Sequence, residues 1–281
     1  MWGKYFKKLT ALVLAGAFFL IGRGFGCLPF VSARGENPYG WEKMSSYTTY
    51  FNAEDRGRCE NIAIAASLID GVAIQPYGEF SFNKTVGRRT QEAGFQQAKI
   101  IVQGEYVLGV GGGVCQVSTT LYNAALKSGL NVIEYHPHSL RVGYVAPSRD
   151  AMVSNESDLQ LYNPHSFPVY LSAEVFQNGI RVSFYGKNEG YRYEIIAQTL
   201  EEVPPPAPIV KEGDKEGVLR AAQNGVKSEA YLERYKGKTL LSRKKLRMDE
   251  YRPIQAIIAK KIENTTKKMP SNACLFCKNL L

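Results

Sequence analysis

The stretch GVGGGVCQVSTTLYNAAL, residues 109–126, constrains this chain more than any other. Gly109, Gly111, Gly112 and Gly113 run almost directly into a cysteine, Cys115. Glycine takes positive φ without steric cost and leaves successive N–H groups bare, so the run reads as a tight turn. Helical spacing follows from about Cys115 to Lys127, with Gly129 as its stop. A thiol at a helix start lies beside roughly half a positive charge, which favours the thiolate. The same residues also suit a packing joint in which Cys115 is only a small buried side chain. The local sequence leaves both readings open.

The rest of the chain sets the context. Lys4, Lys7 and Lys8 precede an apolar run over residues 9–21, and Val31-Ser32-Ala33 places small residues at a cleavage position. Residues 1–33 therefore read as a signal peptide or an N-terminal anchor, and the protein is expected to be extracytoplasmic. Beyond them stand Cys59, Cys115, Cys274 and Cys277. Three full pairings are open. A Cys59–Cys115 disulfide would silence Cys115. Cys274 and Cys277 form one C-x-x-C with no second pair and no neighbouring histidine, which suits a local disulfide or a frayed tail better than a metal. No cofactor and no metal is implied.

The net charge is +9, and it is concentrated: between residues 234 and 268, twelve Lys/Arg stand against three Asp/Glu, which accounts for the whole excess. For an exported protein this points to peptidoglycan or anionic wall polymers, with membrane head groups as a further contact of the basic C-terminal region, and away from nucleic acid.

Periodicity outlines the fold. Residues 45–50 are β-prone. Cys59, Ile62, Ala63, Ala66 and Ile69 share one face of a helix over 52–70, with Asn52 as its cap and Gly71 at its end. Residues 79–83, 100–102, 106–110, 131–135 and 140–145 read as strands. The runs 168–176 and 180–185 flank Asn178-Gly179 as a hairpin, and 191–198 adds another strand. With no regular βαβ repeat, the class is α+β: an antiparallel sheet with two main helices, followed by a small β-rich module. The expected layout is a main domain over 45–198, a Pro-rich linker over 199–208, a small basic β module over 209–260, and a basic tail with the C-x-x-C over 261–281.

Arg58 to Asn61, Gly78-Glu79-Phe80-Ser81-Phe82-Asn83, the block from Gly111 through Cys115-Gln116-Val117-Ser118-Thr119-Thr120 to Ala124, His138-Ser139 and Arg149-Asp150-Ala151 together resemble the VanW family over about residues 45–186. The segment after the prolines is more weakly similar to the G5 module. The resemblance implies the bacterial cell envelope, related to vancomycin resistance, but no reaction. The reading it supports first is a wall-binding or scaffolding domain. The alternative is a Cys-dependent hydrolase or acyltransferase of peptidase or transpeptidase type.

That alternative needs a nucleophile, a base and a group to orient the base. Cys115 supplies the first. His136 and His138 alternate around Pro137 and would share one face of a strand. His138 lies in the family block and is the preferred base. Asp150 would orient it, with Asp158 second. The Gly113 to Gln116 amides and the Gln116 side chain would receive an oxyanion. Cysteine at a helix start with histidine on a later strand is the order of papain-like and transglutaminase-like thiol enzymes, an analogy only. Ser118 lacks an S-x-x-K partner because Leu121 stands there. Cys115 with His136 and His138 is only a loose zinc signature.

Overall fold

The computed structural model describes residues 40–261, apart from 103 and 214. The N-terminal leader, Cys274 and Cys277 lie outside the described residues. In chain order the first part is β1 (Glu42–Tyr50), α1 (Arg56–Ile69), β2 (Ala73–Ile74), β3 (Glu79–Ser81), α2 (Phe82–Val86), β4 (Gln97–Val102), β5 (Glu105–Val110), α3 (Val114–Lys127), β6 (Asn131–Glu134), β7 (Gln160–Tyr162), β8 (Val169–Phe176) and β9 (Gly179–Gly186). The second part is β10 (Tyr191–Val203), β11 (Ile209–Gly213), β12 (Gly217–Arg220), β13 (Gly225–Lys236), β14 (Thr239–Tyr251) and β15 (Ile257–Lys261).

The expected α+β class is present. An antiparallel sheet ordered β1-β9-β8-β2 carries α1 and α3 on one face. Ile62 and Ile69 of α1, Val117 and Leu121 of α3, and Leu171, Val182 and Phe184 of the sheet are fully buried together. Each such side chain contributes about 1.5–3 kcal/mol. A second small sheet, β3-β7-β6, and the β4-β5 hairpin flank this core.

Helix α3 is buried around most of its circumference, its polar residues included. It tolerates this because each polar side chain has a partner. On one side Gln116 and Thr120 meet Thr49 of β1, and Ser45 donates to the Ala124 carbonyl. On the other, Ser118, Thr119 and Asn123 hold the loop at residues 149–151. The polar string after Cys115 is thus a double clamp.

Several local expectations need correction. Asp55, not Asn52, caps α1, its carboxylate accepting from the Arg58 N–H at 3.2 Å. The third strand stops at Ser81, whose hydroxyl caps α2 and converts the rest of that run to helix. Residues 140–145 form no strand.

The proline run does not part the chain into unconnected halves. Strand β10 continues to Val203 and pairs with β13 from Tyr191↔Lys236 to Val203↔Gly225. Strand β14 completes an antiparallel sheet, β10-β13-β14. Ile195 and Ala230 of this sheet enter the same core as the helices. Strands β11, β15 and β12 form a last small sheet in which β11 and β15 run parallel. Among the described residues no helix is long and apolar enough to cross a membrane.

Candidate active site

The glycine turn is built as its sequence demands. Gly113 is the N-cap of α3 at φ +108°, and a Cβ there would lie 2.9 Å from Arg58 Cγ and 3.0 Å from the Arg58 carbonyl oxygen. Asn61 of α1 fixes the turn by donating to the carbonyls of Gly112 and Gln96, both at 2.9 Å. The turn delivers Cys115 to the first turn of α3, partly exposed on the wall of an open cavity of about 470 Å³. Cys115 is a free thiol, so it is not joined to Cys59. Its sulfur donates to the Val153 carbonyl at 3.3 Å.

His138 lines the same cavity and is 6% exposed. It does not sit on a strand beside His136. The chain leaves β6 at Glu134, and the two imidazoles part. His136 bonds Glu134 Oε1 at 2.9 Å, away from the thiol. His138 turns inward, where its Nδ1 and its backbone N–H both lie 2.7 Å from Asp150 Oδ2. Cys115 and His138 share this cavity wall, close enough for each to bias the other's protonation.

These contacts set the protonation states. Burial opposes charge on Cys115, but the nearby His138, a Val153 backbone contact and the charge of Arg89 more than offset it, so the thiol is held below its ordinary range. Burial likewise opposes the imidazolium. Asp150 and Cys115 outweigh it and raise His138 to about 9. Asp150 is held below the ordinary carboxylate range, against its own burial, by His138, Arg247 and Tyr251. The arrangement is a thiol that gives up its proton more readily than usual, an imidazole that holds one more tightly, and a carboxylate bonded behind the imidazole.

Three expectations change. The Gln116 side chain is no oxyanion donor: its amide nitrogen donates to Thr49 Oγ1 at 3.0 Å and the Tyr50 carbonyl at 2.9 Å, while its oxygen accepts from Arg58 at 2.7 Å. The Val114 and Gln116 N–H groups close the turn onto Gly111 and Gly113. Among the described residues this leaves the Gly113 and Cys115 amides without an acceptor. Asp158 orients no histidine. It accepts from Ser81 Oγ at 2.5 Å and from the Asn83 and Leu159 N–H groups at 2.8 Å.

Sequence reasoning missed two residues. Tyr251 donates to Asp150 Oδ1 at 2.5 Å and accepts from the Ser148 N–H at 2.7 Å. Arg247 donates to the Asp150 carbonyl at 2.5 Å and to Asp249 at 2.6 Å, between the rings of Tyr135 and Tyr122. Both sit on β14, about a hundred positions beyond Asp150. The inward-facing Arg247 inside a basic run carried no local mark of this role.

The fold and site therefore define an α+β protein with a cysteine and a histidine at one cavity and an aspartate bonded to the histidine. Residues 57–185 match the family described as "VanW like protein". The chain is 37% identical over 173 residues to "Uncharacterized protein YoaR" of Bacillus subtilis (strain 168), covering 61% of this chain and 55% of that one. It is 27% identical over 81 residues to "Vancomycin B-type resistance protein VanW" of Enterococcus faecalis (strain ATCC 700802 / V583), covering 29% of this chain and 30% of that one. The chain thus spans about half the first relative's length and less than a third of the second's. The solved structure "Crystal structure of HP0197-G5" is 13% identical over 25% of this chain and 96% of that one, at a TM-score of 0.15, a likeness too slight to carry a conclusion.

Proposed function

We propose that this chain is a cell-wall-related thiol enzyme that cleaves or transfers an acyl group through Cys115, acting outside the cytoplasm on peptidoglycan peptides. The observation that carries the chemistry is a free Cys115 and His138 on one cavity wall, with Asp150 bonded to the His138 ring. The vancomycin-resistance relative supports a wall setting.

In the proposed reaction the Cys115 thiolate attacks a carbonyl carbon, and the oxyanion that forms meets the Gly113 and Cys115 amides. The His138 imidazolium gives its proton to the departing amine as the C–N bond breaks, leaving a thioester and a neutral imidazole. Water or a second amine then attacks the thioester, His138 takes its proton, and the thiolate is released. Asp150 holds the ring and balances its charge.

The wall-binding alternative draws less support. Of the basic C-terminal residues, Arg247 is buried, while Arg243 and Lys245 pair with Glu233 and Glu229. The test is incubation with purified peptidoglycan peptides, read by mass. Turnover with an acid-trapped acyl adduct on Cys115, lost in Cys115→Ala, is the expected result. Turnover surviving in a folded Cys115→Ala protein overturns it.

A further inference from the structure

The cavity around Cys115 is cationic in a way the thiol chemistry does not need. Arg58, Arg89 and Lys99 line it, and no Asp or Glu does. The three come from separate elements: α1, the segment after α2, and β4. None forms an ion pair among the described residues. Arg58 binds the neutral oxygen of Gln116 and lies over the Tyr144 ring. Arg89 donates to Asn83 Oδ1 at 2.8 Å and to the Gly87 carbonyl at 3.2 Å, again neutral acceptors. Cys115 and, after it, Asp158 attract Arg89 without bonding to it. Lys99 is exposed on its strand and reaches the same wall.

One thiolate does not account for three cations. His138 already neutralises it from behind, and Arg58 is tied to the side chain that anchors α3. Charges gathered from three elements onto one concave, partly apolar wall add their fields at the cavity mouth and draw an anion in. The cavity also has room for a few residues of peptide. We infer that the cleft selects acyl substrates carrying a free carboxylate close to the bond attacked, with Arg89 and Lys99 as the specificity-determining residues that receive it. This rests on the acyl-transfer reading and names its substrate class.

The experiment separates the two. Alkylation of Cys115 in the full chain is compared for iodoacetate and iodoacetamide, which displace the same iodide but differ in charge. The ratio of the two rates cancels the thiolate fraction. The expected ratio exceeds that of a free cysteine peptide and falls about tenfold for each charge removed in Arg89→Gln and Lys99→Gln. Binding of N-acetylglycine and N-acetylglycinamide to the Cys115→Ala protein is measured by calorimetry alongside. The carboxylate should bind more tightly, and the preference should vanish in the double Arg89→Gln, Lys99→Gln background. A free-peptide ratio unchanged by the substitutions, or equal binding of acid and amide, overturns the inference even if Cys115 proves catalytic. Slow reaction with both reagents counts against the thiol enzyme, while the calorimetry still decides the carboxylate site.

Discussion

Tyr251 and Asp150 are joined by a 2.5 Å hydrogen bond that ties the last long strand to the carboxylate behind His138. Both residues are about 1% exposed, and the same hydroxyl receives the Ser148 N–H. Tyr251→Phe leaves two buried polar groups short of a partner, so it should cost about 1–3 kcal/mol. It should also loosen Asp150 and move the pH profile of Cys115 alkylation upward. Denaturant titration and alkylation across pH measure the two effects. An unchanged alkylation profile would show that Tyr251 supports the fold alone.

Cys115→Ala should abolish turnover and thiol labelling while costing about 1 kcal/mol or less, because the sulfur is partly exposed and the His138–Asp150 contact stays intact. His138→Ala should also abolish turnover, but it strips a buried carboxylate of its cation and should cost about 3 kcal/mol. Comparing activity with unfolding free energy for both variants tests this. Equal and large losses of stability would mark Cys115 as a packing residue after all.

The opposite shifts of Cys115 and His138 predict an unusual pH dependence of stability. His138 is raised to about 9 from an ordinary 6.5. Its contribution is full below 6.5 and fades as pH climbs through 9, so it slopes downward in that window. Cys115 is lowered from an ordinary 9.0, so the folded protein gives up a proton that the unfolded thiol keeps, and this slopes upward below 9. In the wild type the two slopes therefore oppose each other below pH 9. Cys115→Ser removes the upward slope together with the part of the His138 shift that Cys115 supplies; the part that Asp150 supplies remains, so stability should decline as pH rises above 6.5, by less than about 1.4 kcal/mol per unit. Urea midpoints at half-unit steps decide the matter, and parallel curves for the two proteins would exclude the opposed shifts. In acid both should weaken as Asp150 protonates.

Gly113→Ala places a methyl against Arg58 at a left-handed position. Strain of this kind costs about 1–3 kcal/mol. Because Gly113 opens the helix that carries Cys115, thiol reactivity should fall together with thermal stability. A variant with normal stability and normal alkylation would show that the turn is more pliant than its close contacts indicate.

Much of this site was legible in the residues themselves. A glycine run before helical spacing fixes a turn, a helix and a cysteine at its start, since those preferences act over a few neighbours. Alternating apolar positions likewise marked β8 and β9, and the link from His138 to Asp150 followed from chemistry across a short separation. Gln116 was misread because spacing shows only that an amide is near, not that Thr49, Tyr50 and Arg58 already use it. Tyr251 and Arg247 were invisible because the pairing of β10 with β13 folds β14 back across the proline run. Backbone preference is local and can be read along a chain. The partner of a buried polar group is settled only when distant sheet edges meet, and here that meeting supplies the far side of Asp150.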